Sequence, residues 1–457
     1  MAKRRRKAKP VRMSAPVVRD DAAGVDISPA MMYVAVGPDR DNEPVRCFGS
    51  FTCDLYSIAE WLQRCGVRTV AMESTGVYWI PLYQVLEDQG FEVCLVNARH
   101  FKNVPGRKTD VSDCQWLQYL HSVGLLRASF RPPQEVCAMR TLWRHRRGLV
   151  EAASKHIQHM QKSLDQMNVQ LHHVLSDLTG VSGMAIVDAI LAGERNPRKL
   201  AGLRNKKVKA SEEKIVKALE GDYREEHLFT LAQSLEAYRY DQKQIAECDA
   251  EIQRRMEAFD GKVDLESPPA RPVTGSGGRS KKGVFDLRMH HHRIFGVDLT
   301  QIPSINTGTI QVVLSEIGAD FRKFPNASQF ASWMALCPNN DTSGGKLLRS
   351  RTKKSANRVA QALRMAAESL CRDKSYLGIY YRRKRAQLGP PQAITAAAHK
   401  LARVIYTMVT TSQEYDESVF DKAEKRERER AHIRLQRQAR HFGYELVPNG
   451  AASGIVS

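Results

Sequence analysis

The stretch AGVDIS, residues 23–28, is a short apolar run that ends in a carboxylate and a turn. Two more apolar runs follow through short connections, MMYVAVG at 31–37 and VRCFGSF at 45–51. Three such runs in succession predict an antiparallel meander of three strands. The first stretch therefore starts a sheet, and Asp26 closes its first strand.

Helices and strands alternate in the sequence that follows the meander. Helical spacing is found in LYSIAEWLQRCG (55–66) and YWIPLYQVLEDQG (78–90), whereas TVAME (69–73) and FEVCLVN (91–97) are typical of buried strands. A last helix is expected over 110–124. The order β-β-β-α-β-α-β-α is that of a ribonuclease-H-like α/β domain, a mixed sheet covered by helices. We expect this domain to span residues 23–131.

The rest of the chain divides by composition. Apolar residues at helical intervals predict long helices, at least partly coiled-coil, in a middle region that is interrupted near GERNPRKLAG (193–202). A plain helical bundle within one chain is the alternative. The expected segments are a disordered basic arm (1–22), the α/β domain (23–131), the helical middle (132–260), a Pro/Gly/Ser-rich flexible linker (261–294), a compact, mostly α-helical domain (295–411), and a charged helix and tail (412–457).

Charge points to a polyanionic partner. The 457 residues include 70 Lys and Arg against 50 Asp and Glu, a formal charge of +20. Nucleic acid explains such an excess better than an anionic membrane, and no apolar run is long enough to span a bilayer. The N-terminus lacks the apolar core of a signal peptide, and nine scattered cysteines favour a reducing compartment. We therefore expect a cytoplasmic protein.

Four carboxylates are candidates for a metal site. Asp26 and Glu73 stand at strand ends, where open sheets form ligand clefts. Asp110 and Asp113 are three residues apart on a predicted helix and therefore share a face. Clustered carboxylates repel one another unless cations hold them, and Mg²⁺, or Mn²⁺ in its place, takes oxygen ligands. Taken singly, Asp26 fits a turn and Asp110 a helix cap equally well.

The stretch DTSGGKLLRSRTKK (341–354) places Ser343 before two glycines and a basic run. The glycines would let a DNA backbone approach the hydroxyl, although a serine in such a setting is more often part of a turn. Thirteen Lys and Arg lie between Lys346 and Arg385, against two acids. This excess indicates phosphate binding. The candidate nucleic-acid-binding residues are Arg107, Lys108, Gly344, Gly345, Lys346, Arg349, Arg351, Lys353, Lys354 and Arg358.

Two further features leave their roles open. The stretch LTQIPSINTGTIQVVLSEIG (299–318) predicts two helices joined by a hairpin at 303–306, which either presents N–H groups to a phosphate or only packs. It lacks the glycines that tighten such hairpins. Three consecutive histidines, His290 to His292, do not give convergent ligand geometry, and we expect no metal there.

Several motifs together resemble one known family. GVDIS, AMESTGVYW, VNARHFKNVPGRKTDVSD, IPSINTGTIQVVLSEIG and PNNDTSGGK are similar to the DEDD transposases of the bacterial insertion-sequence family one-ten. The likeness covers about residues 23–131 and 295–410. The chain departs from the family pattern at Cys114, where alanine is usual, and at Ser355, where glycine is common.

The resemblance implies a RuvC-like domain with the metal-binding tetrad Asp26, Glu73, Asp110 and Asp113. It also implies a transposase domain whose Ser343 attacks DNA and forms a covalent phosphoserine linkage. In that family the two sites combine across subunits of a tetramer, a dimer of dimers, and a bridge RNA pairs with target and donor DNA. The implied location is the bacterial cytoplasm, associated with the nucleoid.

Three alternatives remain. A metal-only RuvC-like nuclease or Holliday-junction resolvase would keep the carboxylates without using Ser343. An actin-like sugar kinase or ATPase also opens with such a strand and turn, but it needs phosphate-binding glycine turns that the sequence does not show. If the chain were a non-catalytic RNA- or DNA-binding protein, the pattern of four carboxylates would be accidental.

Overall fold

The computed structural model describes residues 16–74, 76–97, 110–264 and 287–445. The chain forms two compact units, Met1–Arg131 and Pro132–Ser457. Most of the predicted basic arm and linker, and the end of the tail, lie outside the described residues.

The first unit begins with three strands and then alternates helix with strand, which confirms the predicted order. Its elements are β1 (Ala22–Ile27), β2 (Met31–Ala35), β3 (Val45–Gly49), α1 (Thr52–Arg64), β4 (Thr69–Glu73), α2 (Trp79–Asp88), β5 (Glu92–Val96) and α3 (Asp110–Ser122). The five strands form one mixed sheet in the order β3-β2-β1-β4-β5. Strand β2 is antiparallel to both of its neighbours, whereas β4 pairs in parallel with β1 and β5.

Helices cover both faces of this sheet. Trp61 and Leu62 of α1 and Leu82 and Leu86 of α2 share one buried apolar cluster with the strands. Leu117 of α3 belongs to a second cluster, which also contains Ala71, Cys94, Val96 and Leu120. Because side chains alternate along a strand, every second residue of β4, counted from Ala71, points toward the α3 face.

Close backbone contact fixes α3 on the sheet. A Cβ atom added at Gly24 would lie 2.3 Å from the Gln118 backbone nitrogen and 2.4 Å from the Cys114 carbonyl oxygen. Only a residue without a side chain permits this approach. Gln118 also donates from Nε2 to the Ala22 carbonyl at 3.2 Å. The sequence AAG therefore sets the position of the helix.

The second unit starts with two long helices and a small helical subdomain between them. The elements are α4 (Gln134–Gln166), α5 (Val181–Leu191), α6 (Pro197–Gly202), α7 (Glu212–Ala218) and α8 (Glu225–Glu257). Helices α4 and α8 pair in antiparallel fashion, since Arg146 contacts Asp249 whereas Ser163 Oγ lies 3.0 Å from Thr230 Oγ1. The predicted interruption near 193–202 is confirmed as the short helix α6.

The C-terminal part is mostly helical. Its elements are α9 (Leu287–Phe295), α10 (Thr307–Ile317), α11 (Ala327–Trp333), β6 (Pro338–Ser343), β7 (Lys346–Thr352), α12 (Arg358–Ser369), α13 (Tyr376–Leu388), α14 (Pro390–Thr411) and α15 (Asp421–His441). Arg144 of α4 donates to both carboxylate oxygens of Glu316 in α10, at 2.9 and 2.8 Å. This bidentate pair ties the long helix to the C-terminal part within one unit.

A β-hairpin interrupts this helical part, whereas the sequence led us to expect a mostly helical stretch from Lys346 onward. Strands β6 and β7 pair antiparallel, and Gly344 and Gly345 form the connection between them. Two glycines between short strands are a recognised hairpin signal, because both turn residues need positive φ. The dense run of basic residues obscured that signal.

Candidate active site

Two of the candidate carboxylates lie side by side at one edge of the sheet. Val25 pairs with Met72 between the parallel strands β1 and β4, so Asp26 and Glu73 occupy the next register position. Both point toward the α3 face, since Asp26 is two residues from Gly24 and Glu73 is two from Ala71. Glu73 is only 6% exposed, and Asp26 is half-buried. The predicted strand-end cleft therefore brings these two together.

Helix α3 runs opposite to β1 and brings its own start to the same edge. Cys114 lies against Gly24, and Gln118 lies against Ala22, which is farther from the carboxyl end of β1. The first turn of α3 is therefore directed toward Asp26 and Glu73. A helix N-terminus carries partial positive charge, which favours carboxylates in this position.

The two aspartates of α3 stand in this first turn. Asp113 is half-buried and shares a helical face with Leu117, which packs on the sheet. Asp110 is the first residue of the helix, and its side chain lies outside the described residues. Among the side chains that the structure describes, no three His, Cys, Asp or Glu residues form a group ready to hold a metal. Carboxylate oxygens are nevertheless the donor type that fits Mg²⁺.

Cys114 follows Asp113 and is close enough to Asp26 to sense its charge. Its side chain is fully buried. Burial raises the pKa of the thiol to about 12, and the negative charge of Asp26 adds to the rise. The thiol therefore stays protonated and unreactive at neutral pH. A cysteine at this position therefore adds no charge to the site.

Ser343 ends β6 at the tip of the hairpin. Gly344 and Gly345 follow it with φ of +54° and +76°, the left-handed conformation that two-residue hairpins require. The pairing shifts by one residue between Asp341 and Thr342, which leaves Leu348 as the extra residue of a β-bulge. Within the described residues the Ser343 hydroxyl makes no hydrogen bond. The structure thus exposes this hydroxyl on a tight turn.

The basic residues around Ser343 face solvent. Their side chains have room to contact a phosphate backbone, and five of the predicted contacts are exposed: Lys346, Arg349, Arg351, Lys353 and Lys354. Arg358 differs, because it starts α12 and lies 3.9 Å from Glu316. The predicted contacts Arg107 and Lys108 lie outside the described residues.

The hairpin at 303–306 takes a glycine-like backbone without a glycine. Ser304 has a φ of +72°, which is costly for a residue with a side chain. Its hydroxyl is buried and has no hydrogen-bond partner among the described residues. Asn306 then caps α10 by accepting a hydrogen bond from the Thr309 N–H at 2.9 Å. The predicted turn is therefore present, and its phosphate-binding role stays a prediction.

The histidine run belongs to a packed helix. His290, His291 and His292 all lie in α9, where successive side chains point in different directions. His291 is buried, with Nε2 2.7 Å from Gln311 Oε1. His292 lies 3.8 Å from Glu414. These contacts assign His291 to the packing of α9 on α10 and His292 to a contact with the segment that follows α14.

Comparisons with known proteins found two family models that match separate parts of the chain. A family model for DEDD transposases of IS110 elements matches residues 23–169, and a model described as transposase IS116/IS110/IS902 family matches residues 298–382. No curated protein matches the chain. None of the helices in the described residues is long and apolar enough to cross a membrane. The two matches cover both candidate site regions, and the chain belongs to the IS110 family of transposases.

Proposed function

We propose that this chain is an Mg²⁺-dependent DNA recombinase that moves an insertion sequence through a covalent phosphoserine intermediate. Its first unit acts as a RuvC-like domain with Asp26, Glu73, Asp110 and Asp113 as metal ligands. The main support is the placement of Asp26, Glu73 and the first turn of α3 at one edge of the sheet.

The proposed reaction uses Ser343 as the nucleophile. Its Oγ attacks a DNA phosphorus, the P–O bond to one sugar breaks, and a phosphoserine ester forms. The serine proton passes to a nearby base, and the departing sugar oxygen gains a proton. Mg²⁺ bound by the carboxylates would stabilise charge on the attacking and leaving oxygens. The hydroxyl of another strand then attacks the ester and regenerates the serine.

The hairpin supports this role by geometry and charge. Gly344 and Gly345 have no atom within 4 Å of an added Cβ, so the space beside Ser343 is open. The exposed cations on β7 and after it give the nearby surface a high positive charge. A DNA backbone can therefore approach the hydroxyl closely. In this proposal the carboxylate site of another subunit supplies the activating environment.

A covalent-capture experiment separates this proposal from a metal-only nuclease. The chain is incubated with labelled DNA that carries its insertion-sequence ends, denatured, and tested for DNA that stays attached to protein. We expect Ser343→Ala to lose both the adduct and strand joining. The matched control is Ser350→Ala, an exposed serine on the opposite strand of the same hairpin. A Ser343→Ala protein that still cuts DNA would favour the nuclease.

We further propose a bridge RNA and a tetramer, each with its own test. The charge of +20 is large enough for RNA together with target and donor DNA. Sequencing of RNA that co-purifies with the chain should return one structured species that pairs with both DNA sites. Light scattering of the complex should give the mass of four chains. Recovery of a random mixture of cellular RNA would contradict the proposal of a bridge RNA.

A further inference from the structure

Helix α15 lies with its side chains in solvent. Every described side chain from Lys425 to His441 is exposed apart from Ala439, and none is buried. At about 1.5 Å per residue, the helix Asp421–His441 is a rod about 32 Å long. The helix also lies outside both family matches, which end at residues 169 and 382. Its surface is therefore available to a partner that the family relation does not name.

The start of α15 is anchored on neighbouring helices of the second unit. Phe420, which precedes the helix, stacks on Tyr376 of α13 with ring centroids 4.5 Å apart and an angle of 5° between the ring planes. Lys400 of α14 places its Nζ 4.8 Å from the centroid of the Phe420 ring. The Tyr376 N–H donates a hydrogen bond to Glu417 Oε1. The base of α15 is therefore held by aromatic and polar contacts, and the rest of the helix extends into solvent.

Positive charge is concentrated in the second half of the helix. Its four acids all lie within residues 421–429, whereas residues 430–441 contain four arginines, two histidines and no acid. Four of these side chains are spaced by four, three and four residues, a spacing that puts them on one face of a helix. All four are exposed, and we call them the basic stripe: Arg430, Arg434, Arg437 and His441.

The apolar residues of α15 do not form a stripe of their own. The helix has only two large apolar side chains, Ile433 and Leu435. Because each residue turns a helix by about 100°, these two point to nearly opposite sides. Coiled-coil pairing and insertion into a membrane surface both need a continuous apolar stripe. The partner that suits the helix is therefore a polyanion.

The width of the helix favours duplex DNA as this polyanion. An α-helix with its side chains is about 10–12 Å across, and the major groove of B-DNA is about 12 Å wide. The major groove of an A-form RNA duplex is deep and too narrow for side chains to read. Charge and width together point to the DNA major groove, which phosphates flank on both sides.

We propose that α15 is a docking helix that lies in the major groove of duplex DNA, with the arginines of the basic stripe on phosphates at the edge of the groove. This inference rests on the proposed function, which brings DNA to the second unit. Phosphate contacts carry no sequence information, so the helix adds affinity for any DNA duplex and leaves the choice of site to other parts of the complex. The anchor at Phe420 connects the bound duplex to the unit that carries Ser343.

The test measures how the binding of duplex DNA depends on salt. A duplex of unrelated sequence is titrated, in EDTA to prevent cleavage, into the full wild-type chain and into the triple variant Arg430→Gln, Arg434→Gln, Arg437→Gln. Each phosphate contact contributes about 0.9 to the slope of log affinity against log salt, so we expect the slope to decrease by about three in the variant. The matched control removes three exposed lysines of the subdomain between α4 and α8 by Lys207→Gln, Lys214→Gln, Lys217→Gln.

Each outcome decides the proposal. A reduced slope in the stripe variant but not in the control, restored by lysine at the same three positions, supports it. A stripe variant with the wild-type slope overturns it. An equal reduction with an RNA duplex of the same sequence overturns the assignment to the DNA major groove. Altered subunit assembly with intact DNA binding also overturns it and makes α15 a contact between subunits.

A separate variant distinguishes this inference from the proposed function. Ser343→Ala leaves α15 unchanged, so it should bind duplex DNA with the full salt dependence. If Ser343→Ala also keeps strand joining, the proposed serine chemistry fails while the docking result stands.

Discussion

The carboxylate edge of the first unit and the serine hairpin of the second are built in opposite ways. At the edge, Glu73 is buried, and Gly24 touches the backbone of α3. In the hairpin every residue of both strands except Thr352 is exposed, and its glycines have open space around them. An isolated two-stranded hairpin is marginally stable in water. The edge is therefore set by folding, whereas few buried contacts hold the hairpin in place.

This contrast fits a reaction in which the carboxylate edge and the serine hairpin meet only on DNA. Asp26 and Glu73 can hold their places without substrate, because neighbouring elements fix each strand end. A nucleophile on an exposed turn reacts only where DNA and the second site are both present. Separation of the two halves would thus limit unwanted cleavage.

The largest effect is expected at the packed edge. Asp26→Asn removes one carboxylate charge without changing the shape of the side chain, so we expect strand transfer to fall on the order of a thousandfold, about 4 kcal/mol in the barrier. DNA binding should change little. The measurement is strand transfer under single-turnover conditions together with a binding titration. Equal loss of binding and transfer would show that Asp26 supports folding or DNA contact.

The second prediction tests whether backbone contact fixes the edge. Gly24→Ala places a Cβ 2.3 Å from the Gln118 backbone nitrogen, and we expect the free energy of unfolding to fall by about 3 kcal/mol. The control is Gly148→Ala in α4, where an added Cβ meets no atom within 4 Å, and helix propensity should add up to about 1 kcal/mol. Thermal unfolding measures both. A neutral Gly24→Ala would mean that α3 moves away easily.

A buried histidine of α3 gives the first unit a pH dependence. His121 is 2% exposed, with Nε2 2.8 Å from Thr69 Oγ1. Burial, together with the charge of Arg19, lowers its pKa to about 4. Above pH 6.5 the imidazole is neutral in both the folded and the unfolded chain. Between pH 6.5 and pH 4 the unfolded chain takes up a proton that the folded chain does not, so stability falls with falling pH.

We expect this loss to reach about 2 to 3 kcal/mol near pH 4. Denaturant unfolding at a series of pH values measures it. His121→Gln should lose stability at pH 7 and show a flatter profile between pH 6.5 and pH 4. If wild type and variant lose stability with the same slope between pH 6.5 and pH 4, the pH dependence arises from a group other than His121.

The hairpin cations should control binding and leave the chemistry intact. Lys346→Ala, Arg349→Ala removes two charges, so the slope of log affinity against log salt should decrease by about two. The rate of strand transfer at saturating DNA should stay near wild type. The matched variant is Lys206→Ala, Lys209→Ala, two exposed charges between α6 and α7. If the salt dependence of DNA binding is unchanged in the hairpin variant, the hairpin is not part of the DNA-binding surface.

The smallest effect is expected from a second glycine substitution, this time in the hairpin. Gly344→Ala meets no neighbouring atom, and only its φ of +54° opposes the side chain. We expect a cost of about 1 kcal/mol, confined to the hairpin. The thermal midpoint of the whole chain should not move, in contrast to Gly24→Ala. A large shift of that midpoint would show that the hairpin is part of the folded core.

The sequence predicted the first unit better than the second for a physical reason. Strand and helix order followed from apolar periodicity, which packing on both faces of the sheet enforces. The place of Asp26 and Glu73 at one edge followed from the same order. The direct contact at Gly24 was not foreseen, because a glycine in a strand does not reveal which backbone approaches it.

The serine hairpin shows the limit of such reasoning. Its strands bury almost nothing, so they carry no apolar alternation, and the GG pair was the only local signal.

A structure of the assembled particle with DNA tests the central claim most directly. The account predicts that Ser343 of one subunit lies at a DNA phosphate beside Asp26, Glu73, Asp110 and Asp113 of another, with divalent ions between them. Ser343 far from the carboxylates of every subunit, with DNA bound and ready to react, would contradict it.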